Sequence, residues 1–205
     1  MNEMEVSVSH NSIHPLPDAV SRKLIMTEQE VILVNENDEP VGTMKKMEAH
    51  EKGLLHRAFS VFIFDKKGKM LLQQRAAEKY HGAHLWTNAC CSHPLPGEEV
   101  ANAAHRRLKE ELGFVTDLQE IFSFTYRANV ENNLIEHEFD HVFAGEYEGK
   151  IEFNRREVSK FFYQDMEELK KQIETEPGKF TSWFKIAFPR IETWWKENHG
   201  GRNIN

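Results

Sequence analysis

Only two cysteines occur in 205 residues, and they are neighbours, Cys90 and Cys91. Adjacent residues rarely reach unstrained disulfide geometry, which excludes a disulfide scaffold and points to reduced thiols in a cytosolic protein. No apolar run approaches the ~20 residues of a membrane span, and the acidic N-terminus lacks the pattern of a signal peptide. Basic charge is in deficit: 26 Lys and Arg against 33 Asp and Glu leave a net charge of −7. Phosphate backbones favour basic surfaces, so a nucleic-acid partner is not expected. A small anionic ligand is not excluded, because it needs only a local pocket of Lys and Arg. Internal repeats and low-complexity stretches are also lacking. The remaining balance, 40% hydrophobic and 29% charged, suits one globular domain with a full core.

Residues 1–26 carry no clear periodicity and read as an N-terminal extension, with a short helix at Asp18–Leu24. Residues 27–199 read as the domain, and 200–205 as a frayed tail. Branched and aromatic runs predict strands at Glu30–Asn35, Val41–Lys45, His56–Phe64 and Met70–Gln74. Lys66-Lys67-Gly68 would turn the last two into a hairpin. Further strands are predicted at Ile121–Ala128, Ile135–Glu146 and Ser159–Tyr163. Helices are predicted at Glu98–Leu112, capped by Gly113, and at Asp165–Glu174 and Thr181–Asn198. Strands on both sides of a central helix, with helices gathered at the end, make a mixed α/β domain.

In the central helix Val100, Ala104 and Leu108 form the apolar stripe, Glu111 falls inside its arc, and Arg107 lies at its edge. An acid facing the core is costly unless paired or metal-bound. An Arg107–Glu111 pair on a solvated helix edge is the plainer alternative. Around Trp86–Pro94, an extended backbone would put Cys91 and His93 on one side and Cys90 on the other. Such a thiol can be an activated thiolate, a proton donor or a metal ligand, or simply a small buried hydrophobe. Strand alternation also places Glu136 and Glu138 on one face, as metal ligands or as a solvated surface pair. His50 and His56 are each, taken singly, more often surface or satisfied histidines than ligands. Three histidines with two carboxylates would suit Mn²⁺ or Zn²⁺.

The run from Ser92 through Glu98 to Arg106-Arg107-Leu108-Lys109-Glu110-Glu111-Leu112-Gly113-Phe114 resembles the Nudix box. Glu98, Arg106, Leu108, Glu110, Glu111, Gly113 and Phe114 match it in register. Ser92 stands where the box has its first glycine, and Arg107 where it has a glutamate that Nudix hydrolases use near their metals. A cation there removes a ligand and offers a phosphate contact. With Ala49-His50, Leu55–Ser60, Trp86–Pro94, Tyr126-Arg127-Ala128, Glu136-x-Glu138 and Trp183, the chain resembles the type 1 isopentenyl diphosphate isomerase family from about Glu30 to Trp183.

The resemblance implies a Nudix-like mixed β-sheet sandwiched by helices, and an enzyme interconverting isopentenyl and dimethylallyl diphosphate through a carbocation-like intermediate. It implies Cys91 and Glu138 as the acid–base pair, Tyr126 hydrogen-bonded to Glu138, and Trp183 as the aromatic face for the cation. Lys46, Arg75, Lys79 and Arg107 would contact the diphosphate. His50, His56, His93, Glu136 and Glu138 would hold Mn²⁺ or Zn²⁺, and Glu111 would bind Mg²⁺ together with the substrate. The expected protein is cytoplasmic, a monomer or small homo-oligomer, with a small-molecule substrate. Two competing readings are a Nudix hydrolase, opposed by Arg107, and a non-catalytic diphosphate-binding domain, which would not need Cys91 and Glu138. Which of those two groups gives the first proton is not decided by the sequence.

Overall fold

The computed structural model describes residues 29–199, with no account of the His199 side chain. The expected extension over 1–26, its short helix at Asp18–Leu24 and the tail over 200–205 lie outside the described residues.

Among the described residues, nine strands form one mixed sheet. They are β1 (Glu30–Val34), β2 (Pro40–Lys45), β3 (His56–Phe64), β4 (Met70–Arg75), β5 (Trp86–Thr87), β6 (Cys90–Ser92), β7 (Gln119–Asn129), β8 (Ile135–Glu146) and β9 (Val158–Gln164). The helices are α1 (Lys46–Lys52), α2 (Val100–Leu112), α3 (Met166–Thr175) and α4 (Ser182–His199). β3 is the organising strand. It runs parallel to β8 from His56↔Glu138 to Phe64↔Glu146, and antiparallel to β6 through Ser60↔Cys91. β7 pairs antiparallel with β8, and β9 with β4.

Period-two alternation sorts β3 between two cores. Phe62 and Phe64 pack with Met70, Leu72, Phe124, Val142 and the apolar faces of α3 and α4. Phe59, Val61 and Ile63 pack with Leu71, Phe143 and α2 through Ala103, Ala104, Leu108 and Leu112. Helices thus cover both faces of the sheet, as expected.

Most predicted elements form within a residue or two of their expected ends. The β3–β4 hairpin is looser than predicted: only Phe64↔Met70 pair, because β3 spends its edges on β6 and β8 while β4 turns to β5 and β9. The α2 helix starts at Val100 rather than Glu98, since the Glu98 carboxylate is taken up by Leu95 N at 2.9 Å and by Arg106 Nε at 2.7 Å. At its far end Gly113 adopts φ +79°, and a Cβ there would collide with the Glu152 carbonyl, so glycine is required. Three short elements escaped the sequence pattern: α1, β5 and β6.

Candidate active site

A cavity of about 460 Å³ opens between β3, β6, β8 and the starts of α1 and α4. Its walls include Lys46, His50, Arg75, Lys79, Cys91, His93, Arg107, Tyr126, Glu136, Glu138 and Trp183. Nearly all the residues expected to act on substrate or metal therefore meet in one place. His56 lies just behind the wall, fully buried, and Glu111 lies beneath Arg107.

At one end three imidazoles converge on a carboxylate. The Nε2 atoms of His93, His56 and His50 stand 3.1, 3.6 and 3.8 Å from Glu138 Oε1. The Nδ1 atoms of His50 and His56 each lie 2.8 Å from a backbone carbonyl, Lys46 O and Leu54 O. A carbonyl only accepts, so each Nδ1 carries a hydrogen and each Nε2 is turned into the cluster. His50 Nε2 is buried with no hydrogen-bond partner. Burial, with the neighbouring His56 and Lys46, pulls the His50 pKa down to about 4, so the ring is neutral at neutral pH. Lone pairs facing a carboxylate oxygen repel unless a cation lies among them. His50, His56, His93 and Glu138 offer one ligand atom each, all within 4.8 Å of one another, and this donor set fits a divalent metal.

Glu136 shares the buried face with Glu138, as alternation predicted, but turns elsewhere. Its Oε1 lies 3.6 Å from His81 Nε2, and its Oε2 lies 3.4 Å from Tyr126 Oη. Burial beside the charge of Glu138 pushes its carboxyl group well up. Tyr126, directly across the sheet from Glu138, donates to Glu138 Oε2 at 2.6 Å.

Cys91 and Cys90 point to opposite faces. Cys90 is fully buried against α2, whereas Cys91 reaches the cavity. Both thiols are free. The Cys91 sulfur contacts Trp183 Nε1 at 2.9 Å, Asn88 Oδ1 at 2.9 Å and Ser60 Oγ at 3.7 Å. Burial and the nearby Asp140 push its pKa up to about 12, so it holds a proton at neutral pH. Trp183 is placed by the first turn of α4, whose approach is tied down by Thr181 N donating to Trp86 O at 3.0 Å.

The other end is cationic. Lys46 at the start of α1, Arg75 at the end of β4, Lys79 in the following loop and Arg107 on α2 converge there. Burial, then Lys79 and Arg107, lower the Lys46 pKa to about 8. Arg75 Nη2 donates to His81 O at 3.0 Å, and its Cζ sits 5.0 Å from the Trp183 ring. Arg107 Nη2 pairs with Glu111 Oε1 at 2.6 Å. Glu157 pairs with Lys79 and stands 3.7 Å from Arg107. Lys79 and Arg107, with burial working against them, hold its carboxyl down to about 2. The plainer reading of Arg107–Glu111 thus has its ion pair, but not its solvated edge: Glu111 is 1% exposed.

Tyr80, His81, Glu157 and Asp140 received no notice in the sequence, and Ser60 and Asn88 no role. Parity could have found Ser60 and Asp140, which continue the alternation of His56 and of Glu136 and Glu138. Tyr80 and His81 sit in a loop, where no period applies.

The sheet with its flanking helices and box helix defines a Nudix-domain protein: the NUDIX domain model matches residues 54–184. The fold is shared with the DR0079 protein of Deinococcus radiodurans at TM-score 0.65 and 19% identity, over 79% of this chain and 98% of that one. A MutT protein of Methanosarcina mazei gives TM-score 0.56 and 18% identity, over 71% and 96%. Sequence relatives narrow the class. The isopentenyl-diphosphate Delta-isomerase of Pectobacterium atrosepticum is 50% identical over 167 residues, 82% of this chain and 93% of the relative. That of Serratia proteamaculans is 50% identical over 154 residues, 75% of this chain and 86% of the relative. The chain belongs to the isopentenyl-diphosphate Delta-isomerase family of Nudix-domain enzymes.

Proposed function

We propose that this cavity interconverts isopentenyl and dimethylallyl diphosphate by moving a proton on at one carbon and off at another. The observation that carries the reading is the pairing, in one cavity, of a protonated buried thiol and a carboxyl group with a cluster of four cations.

The chemistry asks for these groups. One proton must be added to the terminal alkene carbon and another removed from the carbon nearer the diphosphate. The alkene π electrons take the first proton, leaving tertiary carbocation character. The departing C–H pair then forms the new double bond. Water would trap the cation, so the site must be dry, with an acid and a base both at hand. Cys91 and Glu138 serve as that pair, exchanging roles with the direction of reaction. Tyr126 holds Glu138 and the indole of Trp183 faces the cation, an attraction of about 0.5–2 kcal/mol. Lys46, Arg75, Lys79 and Arg107 grip the diphosphate and hold the alkene between thiol and carboxyl group. His50, His56, His93 and Glu138 would hold Mn²⁺ or Zn²⁺, the family's fifth ligand Glu136 being turned instead to His81 and Tyr126, and Glu111 would help hold Mg²⁺ with the substrate diphosphate. Such ions would supply positive charge for the diphosphate and tune the acidity of the Glu138 carboxyl group. Reduced, unpaired cysteines suit action in the cytoplasm on a small-molecule substrate, by a monomer or small homo-oligomer.

A Nudix hydrolase reading founders on Arg107, a cation where a water-activating glutamate is needed, and gives Cys91 nothing to do. The deciding experiment follows purified protein, Mg²⁺ and isopentenyl diphosphate in D₂O by NMR. Dimethylallyl diphosphate carrying deuterium, with no free phosphate, is the expected product. Phosphate release or untouched substrate would refute the isomerase.

A further inference from the structure

Asn88 is fully buried between β5 and β6, and its side chain makes four hydrogen bonds. Its Nδ2 lies 3.0 Å from Val61 O and 2.9 Å from Cys90 O. Both partners are backbone carbonyls, which accept only, so the atom facing them must be the amide nitrogen. Flipping the amide would set oxygen against two carbonyl oxygens. The Oδ1 atom is therefore locked toward Thr87 Oγ1, at 2.8 Å, and Cys91 Sγ, at 2.9 Å.

The direction of the thiol hydrogen follows from the same logic. Amide oxygen accepts only, so sulfur donates to Asn88. An indole N–H donates only, so Trp183 Nε1 donates to sulfur. Thr87 must also donate to Asn88, which leaves its oxygen to accept from Thr181 Oγ1 at 3.0 Å. Thr181 stands two residues before Trp183. The bonds close a ring from Trp183 to Cys91, Asn88, Thr87 and Thr181, and the chain itself completes it.

We infer that Asn88 is a positioning residue that fixes the direction of the Cys91 Sγ–H bond, locked in turn by Val61, Cys90 and Thr87. The ring couples the thiol to the indole, so proton donor and aromatic face keep one geometry. Without this acceptor the sulfur loses one of the bonds that place it beside the indole, and turnover, which needs that placement, slows. That consequence for turnover rests on the isomerase reading; the hydrogen bond itself does not.

The test reads the bond directly. In the Cys90→Ala protein the Raman S–H stretching band reports Cys91 alone, since the chain has two cysteines. The band should lie at the low-wavenumber, hydrogen-bonded end. Adding Asn88→Ala should shift it to higher wavenumber. Thr87→Val removes the competing donor on Asn88 Oδ1 and should shift it lower. In isomerase assays Asn88→Ala should lower kcat about tenfold, which corresponds to about 1.4 kcal/mol, with KM changed less than about twofold. A folded Asn88→Ala protein with an unmoved band, or with unchanged kcat, overturns the inference. Should that variant fail to fold, an unmoved band in Thr87→Val overturns it instead. A wild-type chain inactive on isopentenyl diphosphate would sink the proposed reaction, yet leave the Raman result to judge Asn88.

Discussion

The two ends of the cavity are built on opposite principles. At the thiol–imidazole end, side chains on paired strands are fixed by hydrogen bonds and by registry: His56↔Glu138, Ser60↔Cys91 and Tyr126↔Glu138 are cross-strand partners. At the cationic end, long side chains arrive from a helix start, a strand end, a loop and a second helix, and two of them are held by the carboxylates of Glu111 and Glu157. The first arrangement leaves its side chains little freedom, as the proposed proton transfer would need. The second concentrates positive charge, which tolerates looser placement because Coulomb attraction falls slowly with distance. Damage at the first end should therefore appear in kcat, and damage at the second in KM.

The hardest blow to that division is Cys91→Ala or Glu138→Gln. Each should abolish turnover, on the order of a thousandfold or more, while circular dichroism reports a retained fold. Substantial activity in Cys91→Ala would remove the thiol from the chemistry. Chelation comes next: dialysis against a strong chelator should silence the enzyme and lower its melting temperature, because the lone pair of the neutral His50 is then left facing Glu138. Restored activity with added Mn²⁺ or Zn²⁺ would check the ligand set, and a chelated enzyme of full activity would argue that the cluster is only structural. Trp183→Ala should reduce kcat by about a hundredfold and hardly change KM. Equal rates would end its role facing the cation.

At the opposite end, Arg107→Ala should raise KM roughly tenfold, about 1.4 kcal/mol, with kcat changed much less. A loss confined to kcat would break the comparison. The smallest effect should come from Cys90→Ala, whose thiol faces α2 and not the cavity. Its kcat and KM should match wild type, with a stability loss of about 1 kcal/mol in denaturant melts.

Legibility followed the same divide. Alternation alone put Glu136 with Glu138, and Cys91 apart from Cys90, because a strand has only two faces. Helical spacing placed Glu111 on the core side of α2, and the structure leaves it 1% exposed. Alternation could not say that Glu136 would turn to Tyr126 and His81 while Glu138 meets three imidazoles, since parity fixes a face and not a rotamer. The helix α1 was hidden because its seven residues show too little period, and β5 and β6 because two or three residues carry none. His81 lies in an irregular loop and owes its place to Arg75 and Gly82.

By itself the sequence determined the order of the long elements, the faces of the long strands, the cap at Gly113, and, through its altered box and thiol motif, the family. These are local or periodic properties, written in neighbouring residues. Tertiary structure alone decided that β6 and β8 flank β3, and so that a thiol, a carboxyl group and three imidazoles share one buried cavity with four cations. It also decided which way the Asn88 amide faces, and with it where the Cys91 hydrogen points. Those outcomes depend on contacts between residues far apart in the chain, and no spacing within one segment can encode a partner that only folding brings near.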